Sequence, residues 1–159
     1  MYKIGDKIFY PMYGAGIIQD IERKDVLGEE IDYYVIYTSH SAIKVMIPVE
    51  SCEDIGMRRI VDQKTIDDIM GTLNEPSSVM PDNWNKRRRE NKEKMQSGDI
   101  FLLAEVIRNL SNLNVEKSLS PGEKKLLDDA IKIFESEVML VKDIDLEDAH
   151  QLVTNSLVC

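Results

Sequence analysis

Trp84 is the single tryptophan of this 159-residue chain, and it opens an unusually basic run. From Trp84 to Lys94 the chain reads WNKRRRENKEK, with six cations (Lys86, Arg87, Arg88, Arg89, Lys92, Lys94) and two anions. A large ring beside clustered cations suits insertion between base steps of a DNA minor groove, where phosphate contacts offset the unstacking. The same residues also suit a plainer arrangement, with the indole in a core and the cations on a solvated helix face. A second basic pair, Lys124-Lys125, follows Ser120-Pro121-Gly122-Glu123. Backbone N–H groups at a helix start favour an anion. Cations there weaken the helix itself, which points to an anionic partner outside the chain.

Catalytic chemistry finds no comparable foothold. The chain has no Gly-rich phosphate loop with its lysine, no HExxH and no GxSxG. Gly14-Ala15-Gly16 precedes a strand, so it reads as a turn or a bulge and not as a dinucleotide fingerprint. Cys52, Cys159, His40 and His150 are scattered without metal-ligand spacing, and the two cysteines read as a small buried thiol and a terminal one. Carboxylate pairs such as Asp67/Asp68 and Asp128/Asp129 fall on exposed helix faces. The expectation is a protein that is not an enzyme and holds no metal and no cofactor.

These residues must be carried by two kinds of structure. The first 50 residues read as short strands: Ile8-Phe9-Tyr10, Ile17 to Glu22, the aromatic and β-branched Tyr33 to Tyr37, and Ala42 to Val49. Pro11, Tyr13 to Gly16 and Leu27-Gly28 supply reversals, and Pro48 ends the last strand or places it at an edge. Four or five strands without room for crossover helices predict an antiparallel sheet curled into a small barrel. From Thr65 onward the pattern is helical. Thr65 is expected to cap a short first helix, and a second is expected from near Asp82 to Gln96 after the linker Asn74 to Pro81. Asp99 caps a third with Ile100, Leu103, Ile107 and Leu110 on one face. Ser120 to Glu123 is a capping box with Pro at the first helical position, opening a helix that buries Leu127, Ile131, Phe134 and Val138. Asp145 opens a last short helix. The expected class is α+β in two domains: a β barrel over 1–54, a linker over 55–64 and an all-α domain of about five helices over 65–159.

Charge narrows the function further. The chain carries 20 Lys+Arg against 29 Asp+Glu, a net charge of −9. Such an acidic balance excludes indiscriminate nucleic-acid binding, which rests on clustered cations. Residues 1–72 hold eight cations and thirteen anions, and residues 73–159 hold twelve and sixteen, so neither half is basic as a whole. The local charge of +4 next to Trp84 is therefore the informative quantity. No apolar run reaches the roughly 18 residues of a membrane span, and the N-terminus lacks a secretory apolar region, so a cytoplasmic protein is expected.

The chain resembles the bacterial CarD/CdnL transcription regulators, in nearly its whole length and in the right order. The matching segments are Ile4 to Gly16, Val45-Met46-Ile47-Pro48, Gly56-Met57-Arg58, Asn83-Trp84 with the basic run, Ser97-Gly98-Asp99, Ala104 to Arg108 and Leu119 to Lys124. The resemblance implies a Tudor-like N-terminal domain, of the type shared with transcription-repair coupling factor, that docks on the β-subunit lobe of RNA polymerase. It implies a helical C-terminal domain whose tryptophan, here Trp84, wedges into the minor groove at the upstream edge of the bubble and stabilises the open complex. Lys86, Arg87, Arg89 and Lys124 match the family's basic positions. Arg88, Lys92 and Lys125 join them as DNA-binding candidates from the charge pattern. For polymerase the candidates are Arg23, Lys24, Val45, Met46, Ile47 and Pro48. Some members carry Arg where this chain has Met46, so docking here leans on edge-strand pairing and apolar contact. A recruited monomer, associated with the nucleoid through polymerase, needs only a wedge and a few phosphate contacts because tethering raises the effective concentration. The competing reading is a protein-only adaptor that docks on polymerase and binds another protein through its helices, with Trp84 buried.

Overall fold

A computed structural model describes residues 1–157. Cys159, read above as a terminal thiol, lies outside the described residues. The strands are β1 (Lys7–Tyr10), β2 (Gly14–Val26), β3 (Glu29–Thr38), β4 (Lys44–Pro48) and β5 (Arg58–Arg59). The helices are α1 (Gln63–Met70), α2 (Trp84–Gln96), α3 (Ile100–Glu116), α4 (Pro121–Lys142) and α5 (Leu146–Ser156).

The strands form one antiparallel sheet in the order β4-β3-β2-β1-β5. It is open, which corrects the expected barrel. β4 pairs only with β3 and the two-residue β5 pairs only with β1, so the edges never meet. Closure is replaced by filling. Cys52 and Met57, from the turns after β4, pack with Ile8, Ile18, Tyr34, Ile36 and Ile47 under one face of the sheet. The interval 55–64 is no free connector, because it contains β5.

Side-chain oxygens at the helix starts satisfy N–H groups that have no partner within the helix. Asp99, Ser120 and Asp145 cap α3, α4 and α5 as their sequence context predicts. Two starts differ. α1 is capped by Asp62, whose carboxylate accepts from both the backbone N–H and the hydroxyl of Thr65. Thr65 sits inside the first turn, where its hydroxyl supports a cap and does not provide it. α2 begins at Trp84 behind Asn83, whose amide oxygen accepts from Asn85 N and Lys86 N. Of the expected α4 stripe, Leu127, Phe134 and Val138 are buried and Ile131 is half-buried.

Sheet and helices share a core. Phe9 and Ala15, on the sheet face opposite Ile8 and Ile36, pack among Leu103, Ile107, Ala130 and Phe134. The middle of α4 seals this seam with polar groups. Ser136 Oγ accepts from Ala15 N at 2.8 Å, and the Ser136 carbonyl accepts from Ser39 Oγ at 2.8 Å. Glu137, wholly buried, accepts from Arg58 Nη1 and Nη2 at 2.8 and 2.9 Å and from Val61 N at 2.9 Å. Arg58 also donates to Gly98 O and lies over the Phe9 ring, 4.2 Å from its centroid.

Gly14 is required at this seam for two reasons. Its φ is +100°, and a Cβ there would stand 2.5 Å from Ser136 Oγ. Gly14→Ala is expected to destabilise the protein by about 1–3 kcal/mol, the usual cost of overpacking. Denaturant unfolding measures it, and a loss within the roughly 0.5 kcal/mol typical of surface changes would contradict the close approach.

Candidate nucleic-acid interface

α2 exists because of its cap and its contacts, for it is a strongly polar helix. Its buried side chains are Arg87, Asn91 and Met95, spaced four apart along one stripe. The remaining basic residues face outward. Asn85, Arg88, Arg89 and Lys92 line one shallow depression, and Lys86 is exposed beside them. Trp84, in the first turn, is 51% exposed. The burial that the adaptor reading relied on is therefore not what this helix start provides.

Arg87 departs from the sequence expectation. It is 7% exposed, and its guanidinium turns inward to Glu123 on α4, with Nε and Nη2 donating to the two carboxylate oxygens at 2.6 and 2.9 Å. Its Nη1 donates to the carbonyls of Pro81 and Asp82 at 3.2 and 3.1 Å. The hydrogen bond to Glu123 holds the Arg87 pKa above its already high ordinary value. Buried and with four of its donor bonds committed inside the protein, Arg87 faces away from any phosphate at this surface. Lys94 is similarly drawn to Glu105 at 3.1 Å.

The ion pair brings the starts of α2 and α4 together. A Cβ on Gly122 would stand 3.5 Å from Arg88 Nε, so Arg88 lies across the first turn of α4. Lys124 and Lys125 are exposed on that turn, Lys125 paired with Asp129 at 3.0 Å. Among the described residues no carboxylate lies within ion-pair distance of Lys86, Arg88, Arg89, Lys92 or Lys124. Two positive helix-dipole ends thus converge beside five uncompensated cations and one large exposed ring. Such a surface can take an anionic polymer and an unstacked base.

Strand register sorts the polymerase candidates into two groups. Ile47 pairs with Tyr34, and Val45 with Ile36, on the face that covers the small core. Ile47, 2% exposed, is withdrawn from any partner, which corrects its place among the side-chain contacts. Met46 and Pro48 point the other way, opposite Val35 and Tyr33. A bulge between Ile18 and Asp20 shifts the β2 register. Beyond it Lys24 lies on the Met46 face and Arg23 on the opposite one. Arg23 is held by Asp32 at 2.9 Å and Glu30 at 3.6 Å. Lys24, Met46 and Pro48 thus share a face of the sheet, with Met46 and Pro48 on the edge strand β4 and Lys24 two strands in, on β2.

Sequence reasoning missed the buried carboxylates Glu123, Glu135 and Glu137. Glu135 accepts from or pairs with two imidazoles, His150 Nδ1 at 2.7 Å and His40 Nε2 at 3.8 Å. Burial lowers the His40 pKa, against the pull of Glu135. Among the described residues no three His, Cys, Asp or Glu side chains are placed to hold a metal ion, and no helix is long and apolar enough to cross a membrane.

An open sheet with a free edge, locked to a helical layer that presents a ring among cations, defines a protein that works by its surfaces. Residues 2–61 match the CarD-like/TRCF RID domain family, and residues 68–154 match the family of the CarD C-terminal domain. A Bacillus subtilis (strain 168) protein named "Putative transcription factor YdeB" is 40% identical over 146 residues, covering 91% of this chain and 94% of that protein. The chain belongs to the CarD family of transcription factors, non-enzymatic proteins with an RNA polymerase-interacting domain.

Proposed function

We propose that this protein, as a monomer, docks on the RNA polymerase β lobe through the β4 edge and the face carrying Lys24, Met46 and Pro48. From there it stabilises the promoter open complex by inserting Trp84 into the minor groove at the upstream edge of the bubble. Lys86, Arg88, Arg89, Lys92 and Lys124 touch the flanking phosphates, with Lys125 at the margin. The observation that carries this reading is the half-exposed Trp84 in the first turn of α2, beside exposed cations that lack carboxylate partners. The acidic remainder of the chain keeps free-duplex binding weak, so polymerase supplies the local concentration.

The phosphate assignment is tested by salt. Each phosphate engaged contributes roughly 0.9 to the slope of log affinity against log salt on B-form DNA. In polymerase–promoter complexes, Arg88→Ala/Arg89→Ala is expected to lower the slope of this protein's contribution by about 1.8 through the two lost phosphates. A slope equal to the parent's would remove both residues from the interface.

A further inference from the structure

Arg87 lies three residues after Trp84, yet its guanidinium faces away from the surface that Trp84 and Arg88 share. One planar group reads three things at once: the Glu123 carboxylate on the first turn of α4, the Pro81 carbonyl and the Asp82 carbonyl. Glu123 is 1% exposed and is itself held by the capping residue of its own helix, since the Ser120 hydroxyl lies 3.4 Å from its second oxygen. The two carbonyls belong to the residues just before Asn83 and Trp84.

The segment entering α2 has few other anchors. Upstream it is tied to α3, where Asn112 holds the Glu75 carbonyl and the Ser77 hydroxyl, and Asn109 and Glu105 hold Ser78. Between Ser78 and the cap at Asn83, the remaining polar tie is the long contact of Asn91 Nδ2 with Met80 Sδ at 3.8 Å. The Arg87 bonds therefore fix the last irregular residues before the tryptophan. Stability alone does not account for such a group, because a buried ion pair is about equalled or exceeded by well-packed apolar residues of similar volume. Four directed bonds from one rigid planar group, two to a carboxylate and two to backbone carbonyls, suit a registering device.

We propose that Arg87 and Glu123 are positioning residues for Trp84: they hold the entry to α2 against the start of α4, so that the indole and the cations of both helices form one preorganised surface. This role rests on the DNA reading for its consequence and not for its geometry. A wedge held before binding loses less conformational freedom on insertion, which raises the lifetime of the complex.

The test uses the full chain with Arg87→Met/Glu123→Leu, which replaces the pair by apolar residues of similar length, and Arg87→Lys, which keeps the charge but not the four-donor geometry. Trp84, the single tryptophan, reports directly through fluorescence anisotropy and acrylamide quenching in the free protein. The double variant is expected to melt at or above the parent temperature, while Trp84 loses anisotropy, gains quencher access and no longer prolongs open complexes. Arg87→Lys is expected to loosen Trp84 in the same direction by a smaller amount, and it carries the test if the double variant does not fold. Trp84 order equal to the parent's in the folded variants would overturn the positioning role. Loosened Trp84 with an undiminished open-complex lifetime would instead uphold the positioning role and sink the wedge.

Discussion

Arg58→Ala is expected to destabilise the protein by about 3–5 kcal/mol, the range for breaking a buried pair from one side. The reason is what it leaves behind. Glu137 has no exposure, and without Arg58 its carboxylate keeps only the Val61 N–H. Removing Glu137 instead leaves an arginine that is 26% exposed and able to turn towards water, so the loss from that side is smaller. The change also removes the guanidinium from the Phe9 ring and frees the Gly98 carbonyl. Denaturant unfolding monitored in the β and helical regions is the measurement. The Lys125–Asp129 pair, spaced i,i+4 on the surface, is the internal control and is expected to contribute less than about 0.5 kcal/mol. Arg58→Ala/Glu137→Gln should recover part of the loss by removing the stranded charge. A single-variant loss no larger than the surface control would mean that the seam is not held by this pair.

Trp84→Ala should do the reverse: little to the fold and much to the promoter complex. The ring is half exposed and belongs to neither core cluster, and the cap at Asn83 is untouched. Polymerase binding should match the parent's, since the β4 edge is unaltered. Stacking of a base on an aromatic side chain is worth about 1–3 kcal/mol, which corresponds to a roughly 5- to 150-fold shorter open-complex lifetime. Trp84→Phe should fall between the two, keeping a smaller ring. Equal lifetimes for parent and Trp84→Ala would remove the wedge, whatever the polymerase affinity.

Local signals were legible where local chemistry decides. The caps at Asp99, Ser120 and Asp145, and the face of Ile100, Leu103, Ile107 and Leu110, follow from neighbouring residues alone. Barrel closure was not legible, because it depends on whether two distant edges pair. The faces of Arg23 and Lys24 were hidden for a related reason: one bulge upstream reverses the alternation for every later residue of β2. The buried carboxylates did leave a trace. Glu123, Leu127, Ala130, Phe134 and Glu137 recur at spacings of four and three, so two charges sit on an apolar stripe. Arg87 likewise shares a stripe with Met95 on α2. A charge at a stripe position announces a buried partner, although it does not say which one. Arg58 carried no such mark, being part of a segment with no repeating pattern.

The seam between sheet and α4 also has a mechanical side. Ala15, Ser39, Arg58 and Val61 grip two consecutive residues, Ser136 and Glu137, of one 22-residue helix, and the start of that helix holds Arg87 through Glu123. From the sheet to the helix that carries the indole there is thus an unbroken series of polar joints running along α4. Such a bracket behaves as a caliper with a locked jaw. It fixes a span, and a site lying too near or too far must itself bend to meet it.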